Sequence, residues 1–378
     1  MSRVAVKREL LQWALSRSGR AEELEELLGV SEWLAGEKRP TVAQLEKLAR
    51  ATATPLGYFF LDRVPKDQMP IPLFRTGTQG ADQPSLGLLR TVQMMERRQS
   101  WMREFLIDEG SSRLDFVGSV GPDTEPEAVA AAITKVLRVD VGWAARCPSW
   151  TEAQRVLRDR VEEAGILVAS NSVLGNNTKW KLDREEFRGF VLVDDYAPLV
   201  FINGADFKAA QMFTLAHEVA HVWLGTSAAF DLAGLAPASD RAERACDRVA
   251  AEFLVPTDAV KSAWRKVQHA SSPFDELARH FKVSGLVAAR RALDLKLIPK
   301  KRFFEYYESQ EVRHARAASS GGGDFYNTQT ARLGRRFSET VVGALANRRI
   351  THRDAYRLTG LYGQTFSKYA KRLGHVEQ

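Results

Sequence analysis

The spacing of apolar residues predicts a chain built mainly from amphipathic helices. Through most of the sequence, large apolar residues recur three or four positions apart, which is the period of one helix face. The longest predicted helix runs from Leu86 to Ile107, with its Met and aromatic residues in the core. Further helices are predicted at 124–138, 150–164, 257–268, 273–282, 337–345 and 351–371.

Short continuous apolar runs predict a small sheet in the middle of the chain. Gly165–Ala169 is one such run, and Phe187–Val193 and Pro198–Ile202 form a second and a third around a polar turn. We predict that the last two pair as a hairpin. We also expect this hairpin to present an edge strand beside the helix that follows it, where an extended peptide could add as a further strand. The predicted fold class is therefore α+β, mostly α.

The helix predicted after the hairpin carries candidate metal ligands. No Pro or Gly interrupts the run from Ala205 to Leu224, which contains His217-Glu218-x-x-His221. Residues i and i+4 share one helix face, so the two imidazoles can hold one zinc ion together. Glu218 stands beside the metal and can take a proton from a water molecule there. The alternative is a core helix with structural histidines.

A zinc site of this kind needs a third protein ligand. The best candidate is Glu243, on a predicted helix that ends at Pro256, and Asp247 lies one turn further on the same face. Glu243 would bind the metal, and Asp247 would accept a hydrogen bond from a ligand imidazole and fix its tautomer. The alternative is that Glu243 is a solvated acid paired with Arg244 or Arg248.

These motifs resemble the ImmA/IrrE family of zinc metallopeptidases. The resemblance rests on Phe213-Thr-Leu-Ala-His-Glu-x-x-His221, on Glu243-x-x-x-Asp247-x-x-Ala-Ala-x-x-Leu-x-Pro256, and on the strand pair at 187–203. It covers roughly 150–260 and implies a zincin-like, gluzincin-like peptidase with one Zn²⁺ and Glu243 as third ligand. The family typically has Asn where this chain has Asp247. The resemblance also implies cleavage of, or coupling to, a helix-turn-helix repressor.

Composition shifts and loop residues suggest five segments. We predict a Cro/repressor-like (XRE-type) helix-turn-helix domain at 1–64, a Pro- and Gly-rich linker at 65–84, and a peptidase core at 85–300. A flexible joint at 301–323 and a basic helical subdomain at 324–378 follow. Within the linker, Pro72-Leu-Phe-Arg-Thr76 resembles a segment found after the helix-turn-helix in fused family members, and we expect it to pack on a neighbouring domain.

Three helical regions leave the question of nucleic-acid binding open. The predicted recognition helix in the N-terminal domain offers Ser31, Glu32 and Trp33, and acids there repel phosphates, so DNA binding competes with a packing or protein-contact role. Residues 274–298 are also helix-turn-helix-like, with Arg290 and Arg291 available, although packing is the simpler interpretation. The tail mixes basic and aromatic residues, which fits either a partner surface or a capping subdomain. No nucleic-acid-binding residue is assigned.

Composition narrows the class of protein without deciding it. With 44% hydrophobic and 27% charged residues the chain is globular, and its net charge of +7 favours an acidic partner only weakly. Two cysteines, Cys147 and Cys246, make no disulfide framework and fit a reducing cytoplasm. No signal peptide or membrane span is expected, because no sufficiently long apolar stretch occurs.

The predicted activity is hydrolysis of a peptide bond in a specific protein partner, such as a helix-turn-helix repressor or a toxin–antitoxin component. Glu218 would be the general base. The stabiliser of the oxyanion is not identified, with Tyr196 and the distant histidines as weak candidates. The alternative is an antitoxin-like regulator that binds DNA or a toxin and carries a non-catalytic zinc site. Proteins of similar arrangement resemble members of toxin–antitoxin or stress-response loci.

Overall fold

The computed structural model describes residues 3–18, 21–52, 54–65, 73–74, 84–226, 228–230, 241–314 and 325–374. The chain is mostly helical with a small sheet, which is the α+β class expected from the sequence. No helix among these residues is long and apolar enough to cross a membrane.

The chain divides into two compact units. The first comprises Met1–Pro70 with Gln79–Gln93, and the second comprises Ile71–Thr78 with Met94–Gln378. The first unit contains α1 (Arg8–Ser18), α2 (Ala21–Leu28), α3 (Val30–Leu34), α4 (Val42–Ala51), a 3-10 helix (Leu56–Phe60) and the start of α5 (Leu86–Asp108). Its core consists of apolar side chains spaced at helical period, among them Leu11, Leu24 and Leu45.

The second unit contains the remaining helices. They are α6 (Pro126–Val136), a 3-10 helix (Trp143–Arg146), α7 (Trp150–Glu163), α8 (Lys208–Leu224), α9 (Arg241–Leu254), α10 (Thr257–Val267), α11 (Pro273–Phe281), α12 (Gly285–Asp294), α13 (Lys300–His314), α14 (Phe325–Leu333), α15 (Arg335–Ala346), α16 (His352–Thr359) and α17 (Gly363–Arg372). Both α6 and α7 lie within two residues of the predicted bounds at each end. Helix α13 was not predicted.

The described residues of the second unit also form seven short strands in two sheets. They are β1 (Leu73–Phe74), β2 (Leu167–Asn171), β3 (Val173–Leu174), β4 (Asn177–Lys181), β5 (Gly189–Leu192), β6 (Leu199–Asn203) and β7 (Ala228–Phe230). The larger sheet has the order β1-β7-β5-β6-β2, and β3 and β4 form a separate hairpin. Strands β5 and β6 are antiparallel neighbours, as the sequence predicts.

The hairpin of β5 and β6 is central, so the expectation that it presents an edge strand is wrong. Strand β7 pairs with the other side of β5, and β2 pairs with the other side of β6. Every residue of β5 and β6 is buried. Continuous burial without alternation is typical of a strand covered on both faces. The edge positions therefore belong to β1, which runs parallel to β7, and to β2, which runs parallel to β6.

Helix α8 lies at the centre of the second unit. It packs against α7 and α9 on its flanks and against β5 and β6 below. Its residues from Gln211 to Trp223 are all buried, which explains why apolar residues surround the polar motif on every side of the helix.

The segments expected to be irregular contribute regular structure where the structure describes them. Within the predicted linker, Leu73 and Phe74 form β1 and pair with β7. The first residues of the predicted joint belong to α13, and Phe303 of this helix is buried in the main core. The glycines at 321–323 lie outside the described residues.

The C-terminal helices pack directly on the core of the second unit. Helix α14 lies against β2, and α15 contacts α7. The buried Arg98 guanidinium donates hydrogen bonds to the carbonyl oxygens of Leu358 and Arg332. These contacts fix α14 and α16 against α5.

Candidate metal centre

Helix α8 presents two imidazoles from its last turns into the interior. The helix ends at Gly225, whose φ of 73° is left-handed and which a residue with a Cβ would adopt only with strain. His217 and His221 are both fully buried, and their rings lie 4.9 Å apart between centroids. The i, i+4 spacing thus places both side chains on the face that α9 covers.

Helix α9 brings a carboxylate to the same point. Glu243 Oε2 lies 3.1 Å from His217 Nε2, and Glu243 Oε1 lies 3.1 Å from His221 Nε2. The two Nε2 atoms are themselves 3.1 Å apart. Glu243 is buried against the two imidazoles, so it is not the solvated acid of the alternative interpretation.

The donor set fits a metal ion of zinc's size and chemistry. Two imidazole nitrogens and a carboxylate oxygen all lie within 4.8 Å of one another, and no other such group occurs among the described residues. Tetrahedral ligands at zinc distances stand about 3.3 Å apart, close to the 3.1 Å separations found here. When neither Nε2 carries a hydrogen, both ring nitrogens can bind one cation.

The outer nitrogen of each imidazole has its own partner. His217 Nδ1 lies 3.0 Å from Asp247 Oδ1, and His221 Nδ1 lies 2.9 Å from the hydroxyl oxygen of Thr226. An Nδ1–H donated to each oxygen leaves both Nε2 lone pairs directed at Glu243, which is the tautomer that metal binding needs.

The three groups shift one another's proton affinity. Burial by itself raises the pKa of Glu243, but contacts with His217 and His221 prevail and lower it to about 2. Burial lowers the pKa of His217, but Asp247 and Glu243 outweigh burial and raise it to about 10. The metal-free chain therefore holds a proton on this pair, and a metal ion that binds here displaces it.

Glu218 lies on the same helix but takes no part in this cluster. Its side chain is fully buried, and neither carboxylate oxygen has a hydrogen-bond partner among the described residues. Burial raises the pKa of Glu218 well above its ordinary value. An unpartnered buried carboxyl is costly, so a fold that keeps one calls for a functional reason.

Gly189 makes room for Glu218 beside the sheet. A Cβ built on Gly189 would lie 3.1 Å from Glu218 Oε1, 2.6 Å from the methyl of Thr214 and 2.9 Å from the carbonyl oxygen of Phe201. Gly189, the first residue of β5, thus lies directly against α8, with no space for a side chain between the two.

Sequence reasoning named His217, Glu218, His221, Glu243 and Asp247, and the structure brings them together. It missed Thr226, for which the sequence gives little signal beyond a polar residue just after the helix end. It also missed Gly189, although a glycine inside a strand pattern often marks close backbone approach. Tyr196 lies beyond the far end of β5, where Arg113 donates to its hydroxyl.

Comparison with known families agrees with this geometry. Residues 161–293 match the IrrE N-terminal-like domain. The match begins at the end of α7, includes the whole metal cluster and ends in α12. It supports a metallopeptidase of the ImmA/IrrE type. The IrrE-like domain thus covers the centre of the second unit and extends beyond the region that carries the motifs.

A second match lies near the C-terminus. Residues 333–372 match a family described as a domain of unknown function, DUF8813. No curated protein matches the chain.

Proposed function

We propose that this protein is a zinc-dependent endopeptidase that cleaves a specific protein partner. The observation that carries the proposal is the pairing of two features on α8. A buried His–His–Glu group suits one metal ion, and a buried carboxylate beside it has no structural partner among the described residues. A purely structural metal site would need only the first feature.

Each residue has a distinct part in the proposed reaction. His217, His221 and Glu243 hold the metal, while Asp247 and Thr226 orient the two imidazoles. Bound zinc supplies Lewis acidity to the scissile carbonyl and makes a water molecule more acidic. Glu218 accepts the proton of the attacking water and passes it to the leaving amine. Its raised pKa suits a group that has to keep a proton between these two events.

The proposed substrate is a helix-turn-helix repressor or a toxin–antitoxin component. This part of the proposal comes from the resemblance to the ImmA/IrrE family. The competing proposal, a regulator with a non-catalytic zinc site, leaves the buried and unpartnered Glu218 without a purpose.

The test uses Glu218→Gln, which removes the base and leaves all three ligands in place. Wild type and variant are co-expressed with proteins encoded by the neighbouring genes, and the purified complexes are analysed for zinc and for fragments. We expect fragments with wild type, and an intact co-purifying partner with a zinc-loaded variant whose cleavage is slower by about 10²-fold or more.

A matched control is Glu104→Gln, at an exposed position on α5, which should cleave as wild type does. If wild type and Glu218→Gln hold the same intact partner with zinc bound in both, the peptidase proposal fails for that partner. Equal cleavage by both would remove Glu218 from the mechanism.

A further inference from the structure

The net positive charge of the chain is concentrated in its last helices. Residues 325–374 contain ten Lys and Arg against two Asp and Glu, a net charge of +8. The chain as a whole carries +7, so the other 328 residues sum to −1. Eight of the basic residues are exposed on α15–α17 and the turn between α15 and α16. They are Arg335, Arg348, Arg349, Arg353, Arg357, Lys368, Lys371 and Arg372.

Two of these helices form a helix-turn-helix arrangement. A three-residue turn joins α16 to α17, and it begins at Gly360, whose φ of 69° is left-handed. Tyr356 and Phe366 join the two helices through an edge-to-face contact of their rings at 5.4 Å. The buried hydroxyl of Tyr369 donates to Ser338 Oγ at 2.7 Å, which ties α17 to α15.

The turn itself is held by the loop between β3 and β4 of the second unit. The amide of Asn176 donates a hydrogen bond of 3.0 Å to the carbonyl oxygen of Gly360. Helices α16 and α17 are thereby held at both the turn and the packed face. Their backbone does not have to fold when a partner binds, which lowers the entropic cost of association.

The outward face of α17 has the chemistry of a recognition helix. Gln364, Lys368 and Lys371 are exposed at i, i+4 and i+7, so they form one stripe. Phe366, Tyr369 and Ala370 are buried on the opposite side. An amide and two ammonium groups are donors suited to base edges and phosphates in a DNA groove.

The other two helix-turn-helix arrangements in the described residues lack such a face. Helix α2 exposes four glutamates, and α3 exposes Ser31 and Glu32, with the Ser31 amide donating to Glu25. Carboxylates at this position would repel phosphates. The exposed faces of α2 and α3 therefore present the wrong sign of charge for DNA.

In the pair α11 and α12, the two adjacent arginines of α12 already have acidic partners. Arg290 is paired with Asp294 at 3.0 Å, and Arg291 is buried against Glu252. The hydroxyl of Tyr306 lies directly against Gly285, the first residue of α12. A Cβ built on Gly285 would lie only 2.1 Å from that hydroxyl oxygen. These contacts favour packing as the role of this pair.

We propose that α16 and α17 bind duplex DNA, with α17 in the major groove. Lys368, Lys371 and Gln364 face the groove and its rims. Arg353 and Arg357, exposed at i and i+4 on α16, contact the flanking phosphates, as the first helix of such a pair does. This activity is separate from peptide hydrolysis, and it does not depend on the metal centre.

The test measures binding of the full-length protein to a fluorescent duplex of about 30 base pairs of mixed sequence, by anisotropy across a series of salt concentrations. The variant is Lys368→Glu with Lys371→Glu. The matched control is Lys261→Glu with Lys266→Glu, which makes the same charge change at exposed positions on α10. Lys368→Arg with Lys371→Arg keeps the charge.

We expect wild type, the α10 control and the arginine variant to bind alike. The α17 glutamate variant should bind about tenfold more weakly or worse, with a salt slope smaller by about 2. Melting temperatures should match, since both lysines are exposed.

Loss of affinity in the α10 control equal to that in the α17 variant would overturn the proposal. So would the absence of duplex binding by wild type, or stronger competition by single-stranded RNA of equal length. Glu218→Gln should bind DNA as wild type does, so this result stands apart from the peptidase test.

Discussion

At the scale of single residues, the candidate site depends on buried polar side chains and on one glycine. Glu218 keeps a carboxyl group in the interior without a hydrogen-bond partner among the described residues. Gly189 lets the backbone of β5 pass close enough to seal that carboxyl from solvent. The H-E-x-x-H spacing identifies Glu218 from the sequence. Gly189 matters only because β5 and α8, which are separate segments of the chain, meet there.

Gly189→Ala should therefore damage both stability and activity. The new methyl would approach Thr214 Cγ2 to 2.6 Å and the Phe201 carbonyl oxygen to 2.9 Å, so the strand and the helix would have to separate. We expect a loss of about 1–3 kcal/mol in the free energy of unfolding, measured by urea denaturation.

The matched control for this change is Gly343→Ala on α15. A Cβ there meets nothing within 4 Å, and the residue is inside a helix. It should leave stability unchanged or raise it by up to about 1 kcal/mol. If Gly189→Ala proved as stable as this control, the close approach of β5 and α8 would not be a constraint on the fold.

At the scale of elements, α9 connects the metal cluster to the helices that follow it. Its N-terminal part carries Glu243, and near its end Glu252 is buried in a pair with Arg291 of α12. The same guanidinium donates to the carbonyl oxygen of Val255 and to the hydroxyl of Thr257. One arginine thus joins the end of α9, the start of α10 and the middle of α12.

Arg291→Met should destabilise the second unit strongly. It leaves the Glu252 carboxylate buried without its cation, and breaking a buried pair in this way costs about 3–5 kcal/mol. Denaturant titration followed by tryptophan fluorescence measures the change. Adding Glu252→Leu should recover part of the loss, because the uncompensated charge is then gone as well.

The neighbouring Arg290→Ala is the control for Arg291→Met. Arg290 pairs with Asp294 near the surface, and such pairs contribute less than about 0.5 kcal/mol. Similar effects at the two positions would show that burial of the Arg291 pair does not matter.

At the scale of the whole molecule, the division into two compact units places the metal cluster and helices α16 and α17 in the same unit. Both belong to the unit that contains Met94–Gln378, while the N-terminal helices have a separate core. A metal ion that joins α8 to α9 should therefore stabilise one unit and not the other, because binding to the folded state alone shifts only the equilibrium of the part that folds around the ion.

When the metal is removed, we expect the thermal unfolding transition of one unit to shift and that of the other unit to stay the same. Calorimetry with zinc in large excess over its dissociation constant, and again with a chelator, should show one transition that zinc raises and one that it leaves alone. A hundredfold excess over the dissociation constant corresponds to about 2.7 kcal/mol. His221→Ala should abolish the shift. A chelator that strips the metal without moving either transition would contradict a site between α8 and α9.

The sequence determined those features that depend on local geometry. A helix without Pro or Gly must place residues four apart on one face, so His217 and His221 had to converge. The same spacing put Glu243 and Asp247 on one face of α9. The apolar runs at 187–202 fixed a hairpin, because two strands joined by a short turn pair with each other.

Only the tertiary structure decided what depends on contacts between distant segments. Strand β7 covers β5, which turns the expected edge into a central strand. Thr226 and Gly189 gain their roles because a loop and a strand pass beside α8. The sequence indicated helix-turn-helix patterns at 1–64 and 274–298 and only a basic tail at 324–378. Of the three helix pairs among the described residues, Tyr306 and Glu252 pack against one, glutamates line another, and α17 presents a basic face, because burial and pairing depend on neighbours that no local pattern contains.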